Sequence, residues 1–285
     1  ETVAEVKAKD VTARQLAELM VGSELPQPTT HGDTRRSEVT LALKDVSIPT
    51  STGSRDLISH ISFNLHAGEV VGIAGVEGNG QAELVEAIMG LRKYTGSIDF
   101  QGSSIDDMSV AHRHDLGIGL IPEDRQRQAL MMESPLWENR ILGHQRGKPV
   151  MRGFILDKKA TIEDTKRIME EFDVRAPGPM TAAAALSGGN QQKFIVGREM
   201  SKAPALLVAS HPTRGVDVGA QGAIWEVLRE ARTQGMAIVL ISADLEELIG
   251  MSDRLLVMLR GVITAELDPQ KTTPEQLGSA MTGAA

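Results

Sequence analysis

The sequence predicts an α/β fold, and three observations carry that prediction. Four short runs are almost continuously apolar: Glu69–Ala74 (EVVGIA), Gly117–Pro122 (GIGLIP), Ala205–Ala209 (ALLVA) and Ala237–Ser242 (AIVLIS). Strands covered on both faces have this character. Helix-period patterns at Ala82–Leu91 and Gly219–Thr233 alternate with these runs. A Gly-rich turn joins the first run directly to its helix, and strands that alternate with helices build a sheet layered with helices.

The remaining elements follow in chain order. Val39–Val46 (VTLALKDV) alternates apolar and polar residues, as a half-buried strand does, and Leu57–His66 is a second alternating run. From Ser134 to Lys202 helix patterns dominate, including Lys158–Phe172 and Gly189–Met200, so a helical insert over about 125–202 interrupts the alternation. Arg254–Met258 and Val262–Glu266 close the domain as strands.

The two ends resemble each other. Ala4-Glu5-Val6, Thr12, Gln15-Leu16, Met20 and Gly22 recur as Ala265-Glu266-Leu267, Thr273, Gln276-Leu277, Met281 and Gly283, with one constant offset of 261 residues (Ala4 to Ala265). Each copy reads as a short strand, a Thr N-cap and a short helix closing on Gly. The expectation is that residues 1–22 are the tail of a preceding homologous domain, that the polar, Pro-containing residues 23–37 are a linker, and that one domain occupies 38–285. A first residue of Glu rather than Met agrees with this division.

Composition removes several classes. The net charge of −8 argues against a protein that covers a nucleic-acid backbone, whose electrostatic footprint is basic. With no Cys there are no disulfides, no thiol catalysis and no Cys-ligated zinc. No run reaches the ~20 apolar residues of a membrane-spanning helix.

Gly75-Val76-Glu77-Gly78-Asn79-Gly80-Gln81-Ala82 lies between an apolar strand and a helix. Backbone N–H groups of such a turn, with the positive end of the helix, form an anion cradle. The spacing fits G-x-x-x-x-G-K-[ST], yet Gln81 stands at the Lys position and Ala82 at the position of the metal-binding hydroxyl. Glu83 adds negative charge to the first helical turn.

The strongest local string is Leu186-Ser187-Gly188-Gly189-Asn190-Gln191-Gln192-Lys193. A Ser hydroxyl and two Gly N–H groups at the start of a helix converge on an anion. The string resembles the LSGGQ signature of the ATP-binding-cassette (ABC) superfamily, in the LSGGNQQK form typical of sugar and nucleoside importers. The resemblance runs from about Glu38 to Ala285. It implies a cassette with a P-loop-like core sheet, an antiparallel β subdomain and a helical insert. It identifies Glu123 in Ile121-Pro122-Glu123-Asp124-Arg125 as the Q-loop position, and His211-Pro212-Thr213-Arg214-Gly215-Val216-Asp217 as the Walker B end and D-loop, with Asp217 the D-loop Asp. Ser242-Ala243-Asp244 takes the switch region.

The departures form a pattern. The family's metal-associated Asp is Ser210 here, its catalytic Glu is His211, and its switch His is Ala243. With Gln81 and Ala82 these make five altered positions, so no catalytic residue is intact and no metal site is expected on this domain. The aromatic that would stack on adenine, expected around Gly53 to Asp56, is absent. The resemblance therefore implies a degenerate cradle at Gly75, Glu77, Gly78, Asn79, Gly80, Gln81, Ala82, Glu83 and Glu123, beside an intact signature at Ser187, Gly188, Gly189, Asn190 and Gln191. Such a split is that of the second cassette in a fused import ATPase for simple sugars or nucleosides. Its Ser187, Gly188 and Gly189 would cap the γ-phosphate of ATP held, with Mg²⁺, by the first cassette of the same chain.

The implied partners are that first cassette, transmembrane permease subunits and an upstream solute-binding protein, with no nucleic acid. The implied location is the cytoplasmic face of the cell membrane. Two other readings are a non-catalytic interaction module that keeps the fold and a soluble cassette protein of translation or repair.

Other candidates read as ordinary structure. His112 and His114 around Arg113 are expected in a solvated loop, and Arg125 and Arg127 with Glu123 and Asp124 on a solvated face. Leu136-Trp137-Glu138-Asn139 is expected in the core of the insert, as is Met131-Met132.

Overall fold

In the computed structural model the described residues are 32, 34–50 and 56–284. The expected amino-terminal copy of the repeat, most of the expected linker and the stretch before Asp56 lie outside them. Among the described residues the strands are β1 (Val39–Ile48), β2 (Ile58–His66), β3 (Val70–Ala74), β4 (Thr95–Phe100), β5 (Ser103–Ser104), β6 (Ile118–Ile121), β7 (Met151–Arg152), β8 (Ile155–Leu156), β9 (Leu206–Ser210), β10 (Ala237–Ile241), β11 (Arg254–Leu259) and β12 (Val262–Leu267). The α-helices are α1 (Gln81–Met89), α2 (Val110–Asp115), α3 (Leu136–Asn139), α4 (Lys158–Glu171), α5 (Gly188–Met200), α6 (Val218–Gln234), α7 (Leu245–Met251) and α8 (Pro274–Thr282).

A six-stranded sheet in the order β12-β11-β3-β10-β9-β6 forms the centre. It is parallel from β11 to β6, and β12 adds an antiparallel edge. Side chains alternate across it. Val71 and Ile73 of β3, Leu206 and Val208 of β9, and Val239 and Ile241 of β10 face one apolar core together with Leu84 and Ile88 of α1. Val70, Ala74, Leu207, Ala209, Ile238 and Leu240 face a second core with Phe194, Ile195, Trp225, Leu228 and Leu248 from α5, α6 and α7. Both faces are covered, which is why these strands read as continuous apolar runs.

A four-stranded antiparallel sheet, β2-β1-β4-β5, closes the first core with Leu41, Leu43, Ile61 and Ile98. The pairing Leu43↔Phe63 and Leu43↔Ile98 places β1 at its middle. Sequence periodicity missed β4 and β5, whose segment from Thr95 begins with the polar run Thr95-Gly96-Ser97.

The stretch from Ser134 to Lys202 contains α3, α4 and α5 but also the β7–β8 hairpin, paired as Met151↔Leu156 and Arg152↔Ile155. Helix pattern alone did not reveal this hairpin, because strands of two residues carry no periodicity. Trp137 and Leu136 are buried as expected. Met131 is 39% exposed, so it is not core; its backbone instead exchanges hydrogen bonds with the buried Asn139 amide.

The carboxy-terminal copy of the repeat folds as expected. Thr273 and Gln276 form a reciprocal capping box at the start of α8, and Gly283 closes it at φ +73°.

Candidate functional site

The site sits at the carboxyl end of the parallel strands, where α/β sheets present their loops. A cavity of about 470 Å³ is lined by the turn after β3 (Gly75, Glu77, Gly78, with Gln81 and Ala82 of α1), by Glu123, by the segment after β9 (Ser210, His211, Thr213, Arg214, Gly215) and by Ser242, Ala243 and Asp244 after β10. The turn after β3, Glu123, the segment after β9 and the residues after β10 therefore converge on one cavity.

The turn itself is closed. Gly80 caps α1 at φ +109°, and a Cβ there would lie 2.7 Å from Ile58, so this position needs Gly. The buried Gln81 side chain turns back under the loop and donates from Nε2 to the Val76 carbonyl at 3.2 Å. A Cβ on Gly75 would meet that same Nε2 at 2.3 Å, which shows how fully the amide fills the space. Asn79 pins the loop from outside: its Oδ1 accepts from Arg260 N and its carbonyl from Gly261 N, both in the β11–β12 turn. Glu83 occupies the first turn of α1, where the helix dipole would otherwise face an anion.

Charge in the cavity is mostly negative. Among the described residues, Glu77, Glu123 and Asp244 line it against the guanidinium of Arg214, whose Nη1 is 2.5 Å from Glu123 Oε1. His211 adds no cation, because burial lowers its pKa. Its Nδ1 accepts from the Ala243 backbone N–H at 3.2 Å, which joins the Walker B end to the switch region, and its backbone sits at φ +49°. Asp244 caps α7 by accepting from the N–H groups of Glu246 and Glu247.

This donor set does not fit a magnesium nucleotide. No lysine and no carboxylate occupies the position that the family gives to phosphate or metal, since Gln81, Ala82 and Ser210 are all neutral. With Glu123 paired to Arg214, Glu77 and Asp244 still leave the described lining net negative, which disfavours a triphosphate.

The signature lies apart from this cavity; none of Ser187, Gly188, Gly189 and Asn190 lines it. Ser187 is the exposed N-cap of α5, and its Oγ accepts from Asn190 N and Nδ2. Asn190 Oδ1 in turn accepts from Arg175 N at 2.8 Å. The two glycines are packed by other loops. A Cβ on Gly188 would lie 2.7 Å from Arg125 Nη2, and one on Gly189 would lie 2.8 Å from Asp217 Oδ2. Asp217 caps α6 through Oδ1 to Ala220 N at 2.9 Å. Gln191 is buried and holds the Ala183 and Leu186 carbonyls.

Several expectations change. Arg125 is not part of a plain solvated face: it donates to Gln191 Oε1 and to the Arg214 and Gly215 carbonyls, while Arg127 is exposed as expected. His112 and His114 are not in a loop but on α2. His112 is exposed; Arg113 is fully buried, donating to the carbonyls of Ala87, Ile88 and Ile105. His114 packs edge-on to the buried His144 and lies 3.6 Å from Glu199. These three donors lie within 4.8 Å of one another. Arg198, 2.9 Å from Glu199, and Arg140 beside His144 make this a poor setting for a cation.

Glu247 was missed. It is fully buried under the cavity and accepts from Thr213 Oγ1 at 2.8 Å and Trp225 Nε1 at 2.7 Å. Burial raises its pKa. Its signal was an acid on the apolar stripe that Leu248 and Met251 define.

Comparison with known proteins agrees with this geometry. The ABC transporter family model matches residues 58–214. The chain is 40% identical over 276 residues to the guanosine import ATP-binding protein NupO of Bacillus subtilis, covering 96% of the chain and 54% of that protein. It is 40% identical over 279 residues to the nucleoside import ATP-binding protein NupA of Lactococcus lactis, covering 98% and 55%. Identity to the ribose import ATP-binding protein RbsA of Lacticaseibacillus paracasei is 36% over 289 residues, covering 99% and 55%. The chain thus spans about half the length of these relatives. Among solved structures, a nucleotide-free ATP-binding cassette from an ABC transporter superposes with a TM-score of 0.69 at 22% identity, covering 86% of the chain and 95% of that structure. The fold is that of an ABC cassette, and the chain belongs to the ABC transporter family.

Proposed function

We propose that this domain is the second cassette of a two-cassette ATPase that drives import of nucleosides or simple sugars. Its own cradle is degenerate, and its signature completes the ATP site of the first cassette. The observation that carries the reading is the contrast between two loops: the Gln81 amide closes the turn that would cradle phosphate, while Ser187 caps α5 open to solvent. Relatives about twice the span of the chain leave room for a further cassette.

In this reading the Ser187 hydroxyl and the N–H groups of Gly188 and Gly189 would hold the γ-phosphate of ATP bound by the partner cassette, with the dipole of α5 adding to the attraction. That ATP, with its magnesium, supplies the phosphoryl chemistry. Differential contact between the open and closed pair supplies the coupling free energy. The π-helical turn Arg125–Ala129 and the helical insert would pass closure to permease subunits, and solute reaches them from a binding protein. In this reading the domain attaches peripherally, on the cytoplasmic face; no helix of the described residues is long and apolar enough to cross a membrane.

Calorimetric titration of the chain with Mg-ATP, followed by a turnover assay, tests the degenerate site. The expected result is weak or absent binding without multiple turnovers. Micromolar binding with sustained hydrolysis by the chain alone would sink the reading.

A further inference from the structure

The β7–β8 hairpin projects from the helical insert with its apolar side chains in solvent. Phe154 is 101% exposed, Ile155 75% and Leu156 40%. The other four Phe residues, at 63, 100, 172 and 194, are buried or half-buried, so Phe154 is an exception that core packing does not explain. Gly153 opens the turn at φ +64° with nothing near its Cβ position.

The hairpin is stiff at its base. Val150 is fully buried, Met151 N donates to Gly147 O, and Asp157 N donates to Val150 O, both at 2.9 Å. The Lys158 ammonium lies 4.7 Å from the Trp137 ring centre. The apolar tip is thus presented ready-formed.

Around the tip the charge is basic. Residues 146–159 hold Arg146, Lys148, Arg152, Lys158 and Lys159 against one carboxylate, Asp157, a net of +4 in a chain of net −8. Nearby acids are already engaged. Asp157 caps α4 through Ala160 N, Asp115 pairs with Arg146, and Glu163 pairs with Lys166. Lys148, Arg152 and Lys159 are exposed and make no ion pair among the described residues. An apolar tip flanked along the chain by exposed cations matches the acyl–headgroup boundary of an anionic leaflet.

We propose that this hairpin is a lipid anchor: Phe154, Ile155 and Leu156 enter the interface of an anionic bilayer while Lys148, Arg152 and Lys159 pair with its headgroups. The proposal stands whether or not the domain completes a partner's ATP site, because its test reads vesicle binding without nucleotide.

The test is co-sedimentation of the whole chain with vesicles of phosphatidylglycerol in phosphatidylcholine, and with phosphatidylcholine alone. Binding to the anionic vesicles is expected to exceed neutral binding roughly tenfold or more and to fall with added salt. Joint substitution Lys148→Glu and Arg152→Glu is expected to reduce it about tenfold or more. Phe154→Ser with Ile155→Ser is expected to reduce it with unchanged circular dichroism. The Phe154→Trp variant should shift its emission to the blue on binding and be quenched by brominated lipid. Equal binding to both vesicle types, or anionic binding that Phe154→Ser and Ile155→Ser leave intact, would overturn the anchor. So would absence of binding to the anionic vesicles; hairpin-dependent capture by detergent-solubilised permease would then assign the tip to a protein partner.

Discussion

Arg125 Nη1 donates to the Arg214 carbonyl at 2.6 Å. The same guanidinium reaches Gly215 O and Gln191 Oε1, so one side chain ties the segment after β6 to the segment after β9 and to α5. The π-helical turn that carries it is fixed by Asp124, whose Oδ1 accepts from Gln126 and Arg127 N–H groups. In the proposed mechanism this places Arg125 where movement of the insert is felt at Ser187.

Arg125→Ala is expected to fold with the native circular dichroism and to lose about 2 kcal/mol of stability, a fall in Tm of roughly 4–8 °C for a chain of this size. Thermal melts check this. An unchanged Tm would mean that the three contacts add nothing in solution.

The signature glycines should differ in tolerance. A methyl on Gly188 would meet Arg125 Nη2 at 2.7 Å and the Gly215 carbonyl at 3.0 Å; the guanidinium can shift at the expense of part of its three contacts, the carbonyl has to give by a few tenths of an ångström, and a helix propensity that favours Ala by about 1 kcal/mol offsets much of this cost. A methyl on Gly189 meets Asp217 Oδ2 at 2.8 Å and Ala220 Cβ at 3.1 Å, and Asp217 is held as the cap of α6. Gly189→Ala is expected to cost about 1–3 kcal/mol, while Gly188→Ala stays within about 1 kcal/mol of the parent. Urea unfolding of both variants reads the difference, and equal midpoints would contradict the packing argument.

Restoring the lysine alone should not restore hydrolysis. Gln81→Lys leaves Ser210, His211 and Ala243 in place and leaves Glu77 and Asp244 facing the cavity. The expected turnover of the chain alone is that of the parent, measured by phosphate release. A clear gain would show that the amide at 81 was the sole block.

Acid should destabilise the domain through His144. Burial, then the positive charge of Arg140, lowers its pKa from 6.5 to about 2; the Glu199 carboxylate opposes this, and His114 and Lys202 add to it. Both ring nitrogens lack a hydrogen-bond partner among the described residues. The folded value lies below the unfolded one, so the unfolded chain takes up a proton that the folded chain refuses. Above about pH 6.5 this residue leaves stability unchanged; below it, stability falls with the slope of one proton down to about pH 2. The His144→Phe variant is expected to be flatter between pH 6.5 and pH 4.5, before the carboxylates titrate. Equal slopes for variant and parent in chemical denaturation would refute the assignment.

The layered core was legible because both faces of the central sheet are covered, which leaves continuous apolar strands such as Ala205–Ala209. The cap at Thr273 and the closing Gly283 were legible for a similar local reason: each satisfies its own helix end. Long-range partners were not. Arg125 reads as one charge in a charged run, and only the fold brings it against Gln191 and the Gly215 carbonyl. Arg113 looks solvent-bound between two histidines, yet α2 turns it inward onto the carbonyls of Ala87, Ile88 and Ile105. Glu247 looks like an ordinary acid in a first helical turn until Trp225 and Thr213 close over it. The altered letters at 81, 82, 210, 211 and 243 were visible, but not that the Gln81 amide fills the loop it altered.

The proposed division of labour between the two loops is decided by a paired substitution in the full-length protein, assembled with its permease. ATP hydrolysis would be measured for Ser187→Arg and for Gln81→Ala side by side. Near-complete loss is expected with Ser187→Arg, because the arginine would block the partner's phosphate site, and activity close to that of the parent with Gln81→Ala. Retained hydrolysis with Ser187→Arg, together with loss on Gln81→Ala, would contradict that division of labour.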